Sequence, residues 1–152
     1  MKYLNNVVVS VFAKPSEEDV IAVRNGLVEL VPLNLAEEKI EVKEETAQGF
    51  NEQQIKIFTI TLNKESHTNA FLKAMLNRLT TEQKELLLRQ KESRLDADLC
   101  FFIRIDKGKW LSDRRIFITD SGQCFHIRMQ LAAFPASREA ALVLVEKIFK
   151  PE

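Results

Sequence analysis

LCFFIRIDKGKW (99–110), RRIFIT (114–119) and CFHIRMQL (124–131) decide the fold of this chain. All three runs alternate apolar and polar residues with a period of two, the pattern of strands half-buried in a sheet. Successive strand side chains point to opposite faces. Leu99, Phe101, Ile103 and Ile105 therefore share one face, and Cys100, Phe102, Arg104 and Asp106 share the other. In the third run Phe125, Ile127, Met129 and Leu131 oppose Cys124, His126, Arg128 and Gln130. One face reads as core. The other carries arginines, a histidine and aromatic rings, and function is expected there.

Downstream, FPASREAALVLVEKIF (134–149) places Ala141, Leu144, Val145 and Ile148 on the inner stripe of a closing helix. Upstream, Val7–Phe12 is a β-branched first strand. A helix follows, with Ser16 as its expected N-cap, Asp19 at the third helical position and Val20, Val23, Leu27 and Leu30 inward. Lys39–Glu45 suits a short edge strand guarded by its own charges. A polar loop over 46–54 carries Phe50 between Gly49 and Asn51, either as a plug on the core or as a base-stacking ring. Ile55–Leu62 is the next strand, and Phe71, Met75 and Leu79 line the helix after it. Thr80-Thr81-Glu82-Gln83 is an N-cap signal that opens a separate helix to about Lys91. Short connections between strands predict a mostly antiparallel sheet with helices packed on one face, an α+β fold.

The length of 152 residues fits one domain over 1–152 with a substantial core. An apolar content of 45% and a charged content of 29% suit a soluble chain, and no apolar run approaches the roughly 20 residues of a membrane helix. A cytoplasmic protein with no membrane association is expected. The formal net charge of zero argues against indiscriminate attraction to polyanions. Its distribution is uneven: residues 14–65 hold 6 Lys and Arg against 11 acids, and residues 66–152 hold 15 against 11. Such a split can give the molecule one anion-attracting side.

Catalytic signatures are absent: there is no glycine-rich phosphate loop, no HExxH and no nucleophile elbow. No enzyme activity and no cofactor are expected. His67 and His126 make no local ligand pair, and Asp96, Asp98 and Asp106 read better as solvated carboxylates than as a cation site. Cys100 and Cys124 form no CxxC; they read as reduced residues, with a disulfide open to them only if their strands are neighbours. The polar face is richer. Phe102, Arg104, Phe117, His126 and Arg128 line it, and Lys107, Lys109, Trp110, Arg114 and Arg115 crowd what reads as an adjoining hairpin. Flat rings stack on unpaired bases, and guanidinium groups pair with phosphates. The same residues would equally suit docking on a protein or on a second copy of the chain.

FFIRIDKGKW followed by HIRMQLAAFPASREAA resembles an archaeal family of predicted exosome-associated RNA-binding proteins. The resemblance is carried by Arg104, Asp106 and Lys107 at a strand end, and by Phe134, Pro135, Ala136, Arg138 and Glu139 at a helix start. Val7–Leu30 and Gly49-Phe50-Asn51 also find counterparts, whereas Gly108 stands where a polar residue is the rule. The resemblance implies a fold similar to the ribosomal protein that binds 5S rRNA, with RNA and exosome- or ribosome-related proteins as partners. Arg104, Lys107, Lys109, Trp110, Arg114, Arg115, Phe117, His126 and Arg128 are the residues expected to touch RNA. The competing expectation is an accessory subunit or homodimer that uses the same surface without RNA.

Overall fold

Phe101, Ile103 and Ile105 are fully buried, whereas Arg104 between them is exposed and Phe102 is half-buried. The alternation read from the sequence is thus the alternation of the strand. The computed structural model describes residues 2–49, 51 and 53–151. Its elements are β1 (Leu4–Ala13), α1 (Val20–Leu30), β2 (Val42–Gln48), β3 (Gln54–Leu62), α2 (Glu65–Arg78), α3 (Thr81–Arg89), β4 (Cys100–Asp106), α4 (Lys107–Asp113), β5 (Cys124–Leu131) and α5 (Arg138–Phe149). The strands form one sheet in the order β2-β3-β1-β5-β4. Pairing is antiparallel, from Val42 opposite Ile60 to Gln48 opposite Gln54 in the β2–β3 hairpin. At the two ends of the β4–β5 pair the Lys107 N–H donates to the Gln123 carbonyl and the Leu131 N–H to the Leu99 carbonyl, so residue numbers rise on one strand as they fall on the other. This is the α+β fold expected.

The chain divides into two compact units. One contains the residues up to Val7, Leu62–Ile103 and the residues from Arg128 on. Phe71, Leu72, Met75, Leu87, Ala141 and Val145 are buried in it, α3 packs on α5, and the Phe101 and Phe149 rings stand 5.4 Å apart. The other contains Val8–Thr61 and Arg104–Ile127. Its buried residues include Val9, Val11, Leu27, Phe58, Ile60, Phe125 and Ile127, and α1 packs on α4.

Several local expectations shift. The N-cap of α1 is Asp19, whose carboxylate accepts from the Ala22 N–H, rather than Ser16. Residues 14–18 form a turn instead, with the Glu17 and Glu18 N–H groups donating to the Lys14 carbonyl. The edge strand β2 begins later and runs further than Lys39–Glu45, because Lys39 closes a turn in the left-handed region at φ 57°. Leu99 lies outside β4, also left-handed at φ 62°. Phe50 falls outside the described residues.

The Thr80 signal holds in detail. Its hydroxyl accepts from the Gln83 N–H while the Gln83 side chain accepts from the Thr80 N–H. Thr80→Ala removes one half of this reciprocal cap and is expected to lower stability by about 1 kcal/mol. A urea melt checks it: the midpoint falls and the slope stays unchanged.

The largest departure lies between β4 and β5. Residues 107–113, expected in a hairpin, are the helix α4. Asp106 leaves β4 and turns its carboxylate onto the Lys109 N–H as the N-cap. Arg114 ends the helix in the left-handed region at φ 56°. The run RRIFIT is correspondingly no full strand. It forms an isolated bridge, Ile118 opposite Ile105, flanked by bonds from the Asp106 N–H to the Phe117 carbonyl and from the Thr119 N–H to the Arg104 carbonyl.

Candidate nucleic-acid interface

Helices cover one face of the sheet, and the opposite face carries the polar half of each strand's alternation. In the unit built around α1 and α4, this polar face is assembled from four pieces of chain. β1 contributes Ser10 and Phe12, β5 Cys124 and His126, β4 Arg104, and the bridged segment Phe117 and Thr119. Bonding at the end of β4 makes Lys107 and Gln123 a hydrogen-bonded pair, which sets Arg104 opposite His126 and Asp106 opposite Cys124. Arg104 is exposed, and its guanidinium donates to the Asp120 carbonyl at 3.1 Å, an anchor that leaves it with no ion pair among the described residues. Phe12 is 55% exposed, large for a ring on an inner strand. Ser10, Phe12, Arg104, Gly122, Cys124 and His126 line a groove of about 300 Å³. Burial pushes the Cys124 thiol up from its ordinary pKa, Arg104 and Lys107 pull it back, and the floor of the groove is an uncharged thiol at neutral pH.

On the same face Phe117 is 49% exposed, and the Lys109 ammonium stands 4.9 Å from its ring centre. A cation over an exposed ring is a ready contact for phosphate and base together. Arg115 is exposed and has no ion pair or hydrogen bond among the described residues.

Three residues expected on the RNA-touching surface have other work. Lys107 is only 7% exposed; its ammonium is 3.1 Å from the Glu18 carboxylate and donates to the Phe12 carbonyl. Trp110, 3% exposed, is packed inward by the turn of α4, and its indole N–H donates to the Gly26 carbonyl at 2.8 Å. The helix thus corrects both placements: a hairpin would have turned them outward, whereas α4 buries them. Arg114 is exposed, yet its guanidinium donates to the Trp110 and Leu111 carbonyls at 2.8 and 2.7 Å and pairs with Glu29. It closes the C-terminus of α4.

The other unit carries its own polar patch. The Arg128 guanidinium lies 6.0 Å from the Phe102 ring centre, 3.9 Å from the Asp96 carboxylate and 3.7 Å from that of Asp98. Two carboxylates offset its charge, so it is a poorer phosphate contact than Arg104. Asp96 also accepts from the Asp98 and Cys100 N–H groups, both at 2.9 Å, shaping the turn before β4. Cys100 is buried and free, as is Cys124; burial pushes its thiol up as well. Among the described residues no group of three His, Cys, Asp or Glu side chains could hold a metal ion. No described helix is long and apolar enough to cross a membrane.

Phe12 escaped the sequence reading because the apolar run Val7–Phe12 looked uniformly buried. Strand parity held the missing signal: Val7, Val9 and Val11 are buried on one side, which turns Phe12 to the other.

Comparison with known proteins points the same way. The chain is similar to RNA-binding protein PAB1135 of Pyrococcus abyssi, 24% identical over 136 residues that span 89% of this chain and 87% of the relative. Among solved structures, protein AF2318 of Archaeglobus fulgidus matches with a TM-score of 0.83 at 26% identity, covering 95% of this chain and 99% of that one. Mth689 of Methanothermobacter thermautotrophicus shares the fold with a TM-score of 0.77 at 21% identity, covering 97% and 99%. A family model described as RNA binding matches residues 6–131, from β1 to the end of β5, and the chain belongs to that RNA-binding family.

Proposed function

We propose that this chain is a non-enzymatic RNA-binding protein of the cytoplasm, one domain over 1–152, acting as an accessory factor in archaeal RNA processing or degradation linked to the exosome. The observation that carries the proposal is the open sheet face around Arg104: an exposed guanidinium held in place by the Asp120 carbonyl, with His126 beside it and the Lys109–Phe117 pair next along. The charge supplies affinity for the backbone and the rings supply stacking surfaces. Family membership supports the same conclusion. Kinship with the ribosomal protein that binds 5S rRNA belongs to the proposal too.

Fluorescence anisotropy with labelled RNA, repeated across salt concentrations, tests it. Wild-type affinity should fall steeply with salt, and Arg104→Ala and Arg115→Ala should each flatten the slope of log K against log salt by about 0.7–0.9. Arg128→Ala should change it less, since Asp96 and Asp98 already offset that charge. No binding at low salt, or slopes untouched by Arg104→Ala, would move RNA off this face. Labelled RNA recovered at full length after incubation would accord with the non-enzymatic part.

A second reading, docking on a protein, is favoured by a different surface in the unit that contains α5. Phe134 is 98% exposed and, with Pro135 and Val143, borders a hollow of about 550 Å³. Exosome- or ribosome-related proteins, or a second copy of the chain, are the partners it would serve. If self-association is its use, light scattering should detect a concentration-dependent dimer that Phe134→Asp abolishes.

A further inference from the structure

We propose that the groove beside Phe12 holds one unpaired nucleotide, its base stacked on the Phe12 ring and its phosphate on the Arg104 guanidinium, so that the protein selects single-stranded RNA over duplex. This deepens the RNA-binding proposal and rests on it.

The groove is lined as such a site requires. Val9, Val11 and Ala13 fill the core side of β1, so the Phe12 ring has no apolar partner of that layer to pack against and stands 55% exposed. Along its own strand and towards β5 its neighbours on the polar face are small, Ser10 and Cys124. Gly122, at the lip, has open space where a side chain would project. One planar surface is thus left uncovered, bounded by the imidazole of His126 and the guanidinium of Arg104. At about 300 Å³ the groove is at the small end of ligand sites and suits a single nucleotide. A partner helix, about 10 Å across with its side chains, would not enter it.

Charge selects among flat ligands. Arg104 is the cation in the groove's lining, and its guanidinium favours an anionic ligand over a neutral apolar side chain. A second ring continues the surface. Phe12 on β1 and Phe117 on the bridged segment are separated by β5 and β4, three strand steps or roughly 14 Å. On β4 the residue opposite Phe117 is Asp106, and Arg104 stands two residues along the strand, opposite Thr119 and His126. Duplex RNA cannot use this arrangement, because its bases are stacked on one another and only backbone and groove edges face outward.

The experiment measures binding of a labelled oligouridine and of a duplex of equal length to wild type, Phe12→Ala, Phe12→Leu and Phe12→Trp. Phe12→Ala and Phe12→Leu should weaken oligouridine binding roughly 5- to 150-fold, equivalent to about 1–3 kcal/mol for one stacked base. Phe12→Trp should bind at least as well as wild type, and none of the three should alter the salt slope, since the ring carries no charge. Duplex binding should be weaker in wild type and indifferent to all three. Phe12→Trp keeps the test open if the smaller side chains disturb the strand. Oligouridine binding unchanged by Phe12→Ala, or lost equally for duplex, overturns the groove while leaving RNA binding standing. Wild type that binds neither probe overturns both.

Discussion

Lys107→Ala is expected to destabilise the protein by about 3–5 kcal/mol, the range for breaking a buried ion pair from one side. The Lys107 side chain is 8% exposed and that of Glu18 21%, so neither charge is well hydrated. The ammonium faces the Glu18 carboxylate and also the Phe12 carbonyl at the end of β1. Alanine would leave a carboxylate that water reaches poorly, with no cation in contact. Against a total stability of about 5–15 kcal/mol, that loss is large enough to populate the unfolded chain at modest temperature. Lys107→Met keeps the aliphatic stem and should cost less than alanine. Denaturant melts give the stabilities. RNA binding at low temperature, where the variant is folded, then separates structure from site: the salt slope should match wild type. A slope reduced by about 0.7–0.9 in a folded Lys107→Ala would place the ammonium on phosphate after all. Arg115→Ala is the counterpart, with stability within about 0.5 kcal/mol of wild type because it has no partner among the described residues.

The contrast between these two basic residues shows what the sequence could and could not convey. Alternation in β4 and β5 told the two faces of the sheet apart, because extended backbone turns successive side chains to opposite sides, although Cys100 and Cys124 on the polar side are buried. Ala141, Leu144, Val145 and Ile148 pack inward from α5 for the analogous helical reason. The expected hairpin is a helix because the cap of Asp106 on Lys109 opens α4 at the point where the alternation of the sequence runs on. Charge type carried even less. Lys107 and Arg115 are both cations in one short stretch, and only a distant partner, Glu18, tells them apart. Pairing across 89 residues leaves no local trace. Three of the residues that carried the family resemblance hold the fold: Asp106 caps, Lys107 is paired inside, and Arg138 donates to the Leu95 and Glu92 carbonyls. Arg104 faces outward from the sheet with no ion pair among the described residues.

Trp110→Ala should be as damaging, by about 3–5 kcal/mol, and for a different reason. The indole fills the space between α4 and α1, where Gly26 permits the close approach: a Cβ there would lie 2.5 Å from Leu111 Cδ2 and 3.2 Å from the Phe125 ring. Removing the ring opens a cavity at this contact and withdraws the N–H from the Gly26 carbonyl. A melting temperature lower by roughly 6–20 °C would follow for a chain of this size. Trp110→Phe isolates the parts, since it keeps a ring, loses the donor and should cost much less than alanine. The consequence reaches the proposed RNA face through Phe117. Lys109, which stands over that ring, is carried by α4, so loosening α4 frees the cation that the exposed ring depends on. Trp110→Ala should therefore weaken RNA binding even below its melting transition, whereas Trp110→Phe should bind like wild type. Equal losses from both variants would instead mean that the indole itself touches RNA, which its 3% exposure opposes.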